Sequence, residues 1–179
     1  MDGYVATARL MDIADSLSKP TRSLAGVVFD NPKFPMWSGA SKPTQHHYGK
    51  GGLAVHTLEV AELCLKNNAY FAERAVDERH LFLAALFHDV GKIWDYEPTN
   101  EAMTEWTGNE HKCKIHHISR SGIVWSQAVD RLKLFESVHD DVLHAILSHH
   151  GLREWGSPVQ PQSSMAWLLH LCDNMSARM

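Results

Sequence analysis

The chain has too few cysteines for a disulfide framework, no long apolar run and no excess of basic residues, and each shortage removes a class of protein. Its three cysteines, Cys64, Cys113 and Cys172, are odd in number and far apart, which fits reduced thiols in a core and not a stapled secreted domain. No apolar stretch reaches the roughly 18 residues that span a bilayer. The N-terminal segment MDGYVATARLMDIADS is acidic and amphipathic, whereas a secretory signal is basic and then apolar. A cytoplasmic protein without membrane association is therefore expected. A formal net charge of -4 argues against a surface built mainly to neutralise phosphates, while leaving room for a local basic rim. Strict alternation of β-branched residues is missing, as are internal repeats and low-complexity tracts, so a substantial sheet is not expected.

What remains is helical periodicity. With 179 residues, 44% of them hydrophobic, the chain suits one globular all-α domain with a full-sized core. Apolar spacing predicts helices over residues 4–17, 21–29, 53–67, 77–90, 117–134, 137–150 and 163–177. Residues 31–52 carry three prolines and four glycines, which regular elements tolerate poorly. Loops of that length are usually functional or disordered, and Phe34, Trp37 and Tyr48 point to an ordered, functional one.

Five histidine/aspartate stations are spread along these helices: His56, the pair His88 and Asp89, His117, the pair His149 and His150, and Asp173. Thirteen histidines make enrichment alone uninformative, so position must decide. His56 shares a stripe with Val60 and Leu63, and His88 shares one with Leu81 and Ala85, beside Asp89 and just before Gly91. His117 aligns with Ser121 and Val124, His149 with Val142 and Ile146, and Asp173 with Ala166 and Leu169. A lone histidine on an apolar stripe is more often a hydrogen-bonded core residue than a ligand. Two carboxylates among five histidines on core-facing stripes are another matter, because each buried carboxylate loses several kcal/mol of hydration unless a cation compensates. Imidazole and carboxylate together suit divalent Mn, Fe, Ni, Co or Zn better than Mg. Two such ions, and a metal-dependent hydrolase, are the expectation.

The order H…HD…H…HH…D, with Lys92 in HDVGK, resembles the HD superfamily of metal-dependent phosphohydrolases. More narrowly, GASKPTQHHYGKGGLAVHTLEV, LFHDVGKIWDYE and LSHHGLREWGSP are similar to the HD domain of YhaM-type 3′–5′ exoribonucleases. The relaxase-associated HD domains of mobile elements share a comparable HH…GGL…H opening. The resemblance implies an HD-domain helical bundle over residues 38–179, with residues 1–37 as a helical extension packed on it. It implies that His56, His88, Asp89 and Asp173 form the common ligand set, that His117, His149 and His150 are the additional ligands of two-metal members, and that Asp89 bridges both ions. Where such proteins often have glycine before the third histidine, this chain has His116, so His116 competes with His117 for that role; the stripe favours His117. The full-length exoribonucleases also carry a nucleic-acid-binding OB domain for which this chain has no room.

Paired divalent ions can lower the pKa of a shared water towards neutrality and direct it at a phosphorus atom. Lys92 is placed either to bind a phosphate oxygen, assisting Asp89 in the chemistry, or merely to sit exposed near a helix C-terminus. His46 and His47 in the long loop, Arg120 one turn after His117, and Arg153 and Trp155 after the histidine pair are candidate substrate contacts, Trp155 by stacking on a base or else by plugging the bundle. The segment HKCKIHH lacks a paired Cys-x-x-Cys element, which discounts a structural zinc at Cys113. Three functions follow: a phosphohydrolase of nucleotides or related small phosphate esters, a 3′–5′ exonuclease or nuclease module on single-stranded nucleic acid, and a non-catalytic metal-bound sensing module. The extra N-terminal helix and the surface-capable aromatics are compatible with a homodimer.

Overall fold

The computed structural model describes residues 1–132 and 136–179. It is a helical assembly in order α1 (Gly3–Leu17), α2 (Lys19–Phe29), α3 (Gly52–Tyr70), α4 (Glu78–Phe87), α5 (Lys92–Asp95), β1 (Tyr96–Pro98), β2 (Trp106–Gly108), α6 (Glu110–Lys114), α7 (His117–Leu132), α8 (Glu136–Ser148) and α9 (Ser164–Ser176). Each long predicted helix is present to within a few residues. Residue 134, where the fifth was expected to end, lies outside the described residues. Among the described residues the only sheet is an antiparallel pair, with Tyr96 opposite Gly108 and Pro98 opposite Trp106.

Helix ends follow from local chemistry. Asp2, Ser18, Asp77, Asn109 and Ser163 each accept a hydrogen bond from a backbone N–H of the first turn that follows, which satisfies donors that the helix itself leaves unpaired. Pro20 sits in the first turn of α2, where its missing N–H costs nothing.

The centre of the fold is α4. Every residue from Leu81 to Phe87 is buried, so beyond its first turn this helix has no solvent face and must be enclosed by others. α3 packs along one side and α8 along another, with α1, α2, α7 and α9 completing the enclosure. α1 and α2 therefore share the apolar cluster of the later helices: Leu10, Leu24 and Val28 belong to the same core as Phe82 and Phe87. The chain leaves α4 at His88 and Asp89, and both of these polar residues are buried.

The long loop is ordered by its aromatics. Phe34 and Trp37 are buried. The Trp37 indole donates to the Tyr96 carbonyl at 2.8 Å and meets Trp106 edge-on, while the Tyr48 hydroxyl accepts from the Trp106 backbone N–H at 2.9 Å. The loop closes onto the start of α3 through Gly52, where a Cβ would lie 1.8 Å from the His47 carbonyl oxygen. The expectation of three core cysteines needs one correction: Cys64 and Cys172 are buried, but Cys113 lies on the exposed face of the short α6. No helix among the described residues is long and apolar enough to cross a membrane.

Asp77 offers a test of the capping chemistry. Replacing it with Ala is expected to lower stability by about 1 kcal/mol at neutral pH, as measured by urea unfolding. Arg79 bonded to its carboxylate pulls the Asp77 pKa down to about 2, against an ordinary 3.8. The contribution of the ionised group is thus complete above about pH 4 and lost as pH falls through about 2. The gap between wild type and Asp77→Ala should narrow over that interval; a constant gap would show that the charge plays no part.

Candidate metal centre

Seven side chains from five segments meet where α4 ends. Among the described residues two clusters at the centre have donor atoms within 4.8 Å of one another, His56, His88, Asp89 and Asp173 in one and His117, His149 and His150 in the other, and a third group, Asp95, His116 and His117, adjoins the second through His117. α3 supplies His56, the turn after α4 supplies His88 and Asp89, and α9 supplies Asp173. The first residue of α7 is His117, and the turn closing α8 carries His149 and His150.

The Asp89 carboxylate stands between the clusters and shows one oxygen to each. Its Oδ2 lies 3.3 Å from His56 Nε2 and 3.4 Å from His88 Nε2. Its Oδ1 lies 3.4 Å from His117 Nε2 and 3.6 Å from His149 Nε2. Asp173 Oδ1 completes the first cluster at 3.0 Å from His56 Nε2 and 3.7 Å from His88 Nε2.

Each histidine is anchored through Nδ1, leaving Nε2 to face the centre. His88 Nδ1 donates to the Ala85 carbonyl at 2.7 Å, His149 Nδ1 to Ile146 at 2.7 Å and His150 Nδ1 to Trp155 at 2.6 Å. His56 Nδ1 donates to the Ser176 hydroxyl, which donates in turn to Glu59. His117 Nδ1 donates to Asp95 Oδ2 at 3.1 Å. A proton held on Nδ1 leaves a lone pair on Nε2, the tautomer a metal requires.

Electrostatics and unmet valence test whether a cation fits. Asp89 Oδ1, His117 Nε2 and His149 Nε2 are among the few buried side-chain atoms of the described residues without a hydrogen-bond partner. Leaving three such atoms together is costly unless something positive sits between them. Burial pulls the His117 pKa down to about 4, against the pull of Asp95, and burial with the neighbouring His149 holds His150 down to about 3. Both imidazoles are therefore neutral at pH 7. In the first cluster burial opposes a charge on His88, but Asp89 and Asp173 outweigh it and push its pKa up to about 10. The two carboxylates thus demand a cation, and a divalent ion can take the place of that proton. The donor sets fit divalent metals in both clusters.

Lys92 is not an exposed helix-end lysine. Its Nζ lies 2.5 Å from Asp89 Oδ2 with only 14% of the side chain exposed, a cation already beside the bridging carboxylate. His116 adopts a left-handed backbone, φ 69°, and its half-buried ring lies 4.1 Å from that of His117, the residue whose Nε2 faces Asp89 at 3.4 Å. His47, also left-handed at φ 59°, sets its ring 4.8 Å from that of His56 at a tilt of 48° and bonds Glu59 at 2.9 Å. His46 is exposed beside it, and both line a cavity of about 560 Å³ with Glu59, Lys66 and Met175.

Arg120 departs from expectation. It does not reach towards the cluster: its Nε donates to His111 Nε2 at 3.0 Å and its guanidinium lies over Trp94. Trp155 is 50% exposed and does not plug the bundle. With exposed Arg153 it forms a short 3-10 turn whose carbonyl orients His150. Asp95 is the residue that sequence reasoning passed over. It is fully buried and serves His117, although its place six residues after Asp89, in an otherwise aromatic segment, was a signal in plain view.

Residues 53–178 match the HD domain family. Over 136 residues the chain is 32% identical to the 3′-5′ exoribonuclease YhaM of Bacillus subtilis (strain 168), an alignment that takes in 75% of this chain and 41% of that protein. The chain thus spans about two-fifths of the length of this relative. No solved structure matches. All seven clustered residues lie inside the matched region, whereas His46, His47, α1 and α2 precede it.

Close approach of α7 to the His88 turn depends on Gly91. A Cβ there would lie 2.2 Å from the His117 carbonyl oxygen and 2.8 Å from its Cα. Gly91→Ala is expected to cost about 1–3 kcal/mol in urea unfolding, as overpacking does. Unchanged stability would mean that α7 is not locked against this turn.

Proposed function

The chain belongs to the HD domain family, and we propose that it is a metal-dependent phosphohydrolase acting on phosphoester bonds of nucleotides or closely related compounds. The observation that carries this reading is the Asp89 carboxylate, with Oδ2 turned to one histidine/aspartate cluster and Oδ1 to the other. His56, His88, Asp89 and Asp173 would hold one divalent ion, and His117, His149, His150 and Asp89 the second. When bound, such ions supply Lewis acidity and a water that ionises near neutral pH. The protein's own groups do the rest. Asp89 fixes the spacing of the two half-sites, and the Nδ1 hydrogen bonds hold every ring in its ligating orientation. Lys92, beside Asp89, places a positive charge where a phosphate would gain negative charge as the bond breaks. Arg153 and the half-exposed Trp155, on the turn that orients His150, present a cation and a stacking surface at the rim.

A second reading has its own support in the 32% identity to an exoribonuclease: the same centre would cleave diesters at the 3′ end of single-stranded nucleic acid. The two readings differ in salt response. A chain that engages several phosphates loses affinity steeply as salt rises, while turnover of a mononucleotide changes little. The net charge of -4 favours the small substrate.

Metal analysis of the purified protein is expected to find divalent transition ions, with hydrolysis across a panel of nucleotides, cyclic nucleotides and short oligonucleotides. His88→Ala and Asp89→Ala should lose both metal and turnover by more than about 100-fold, beyond the usual effect of outer-shell changes. Full metal content in either variant would overturn the ligand assignment. Two bound metals with no hydrolysis across the panel would favour a sensing role instead.

A further inference from the structure

The two clusters are not electrically alike. The first has two carboxylates facing its centre, Asp89 Oδ2 and Asp173 Oδ1, with two imidazoles, so that even with Lys92 beside Asp89 Oδ2 it keeps the whole of Asp173 for its own ion. The second has three imidazoles and only the Oδ1 edge of the shared Asp89. A divalent ion in the second cluster would be under-compensated unless negative charge reached it through a ligand.

We propose that Asp95 is the positioning residue that supplies this charge: it holds His117 as an electron-rich donor and so sets the affinity of the second half-site without touching the first. This inference rests on the two-ion reading above. The geometry is specific. Asp95 is fully buried at the end of α5, and its Oδ2 accepts from both the backbone N–H of His117, at 2.9 Å, and His117 Nδ1, at 3.1 Å. One oxygen thus caps the start of α7 and fixes the ring of its first residue. The other oxygen, Oδ1, accepts from His111 Nδ1 at 2.6 Å. His111 is itself fixed, because Arg120 Nε donates to its Nε2 at 3.0 Å and forces its proton onto Nδ1. Arg120 is in turn held over Trp94.

The result is a four-residue line, Arg120 to His111 to Asp95 to His117, that runs from the half-buried flank of α7 to the metal centre. A carboxylate bonded to the far nitrogen of a ligating histidine raises its basicity and fixes its tautomer. Among the five clustered histidines, only His117 has a carboxylate directly on its Nδ1: the others use carbonyls or, at His56, a hydroxyl. The carboxylate stands at the half-site that has fewest of its own. Arg120 balances the buried charge from the far end, which explains why a residue expected at the substrate is turned inward.

Calorimetric titration of metal-free protein with Co(II), followed in parallel by its visible absorption, tests this on the whole chain. Wild type is expected to take up two ions in two phases. Asp95→Asn keeps the shape of the side chain and an oxygen for the α7 cap, but removes the charge. It should leave the first phase unchanged and weaken the second 10–100-fold, the range typical of outer-shell substitutions. His111→Ala keeps Asp95 and the cap intact, and guards against a poorly folding Asp95 variant. It should weaken only the second ion, by about 10-fold at the low end of that range. Two phases at wild-type affinity in both variants, or an equal loss in both phases, would overturn the assignment, since the first denies any role and the second marks general damage. If wild type itself takes up no ion, the metal centre fails and this role fails with it; if wild type takes up two and the variants match it, only the role of Asp95 fails.

Discussion

One buried carboxylate organises this molecule. Asp89 is enclosed at the buried end of α4, and a carboxylate there loses several kcal/mol of hydration unless positive charge surrounds it. Lys92 provides one cation within its own turn. Burial alone would raise the Asp89 pKa, yet Lys92 and His88 keep the group well below the ordinary carboxylate range. Asp173 adds a second carboxylate and raises the demand for positive charge, and against burial the two together push the His88 pKa up to about 10; four further imidazoles, drawn from other sides of the bundle, complete a donor set for a cation. Packing of α3, α7, α8 and α9 around α4 is the means by which these groups converge.

Hydrogen bonding then decides what the cluster can be. Carbonyls left free at the ends of α4 and α8 take the Nδ1 protons of His88 and His149 from within one turn. The same feature that ends each helix therefore orients its ligand. His56 and His117 begin or ride on helices whose ends lie elsewhere, and they need partners from other elements, Ser176 and Asp95. These long-range partners couple the centre to surfaces remote from it: Glu59 and the cavity beside His47 on one side, Arg120 and Trp94 on the other.

Much of this was legible in the residue order. Helical period located all the long helices, and the apolar stripes through His56, His88, His117, His149 and Asp173 predicted inward-facing positions, which the burial of these residues matches. Trp37 and Phe34 signalled that the long loop is ordered, and they are the residues that tether it. What escaped was short or non-local. β1, β2, α5 and α6 span three to five residues each, too few for a period to register. Asp95 and Arg120 were invisible as a pair because their connection runs through His111, and side-chain direction across a turn leaves no trace in spacing. Cys113 was misplaced for the same reason: on a five-residue helix, composition cannot tell the inner face from the outer.

The central claim is that two cations share one carboxylate. Anomalous diffraction from crystals grown with Mn(II), recorded above and below the metal edge, tests it most directly. Two peaks, one facing each oxygen of Asp89 and each ringed by its own histidines, are the expected result. A single peak, or metal bound away from Asp89, would contradict the account.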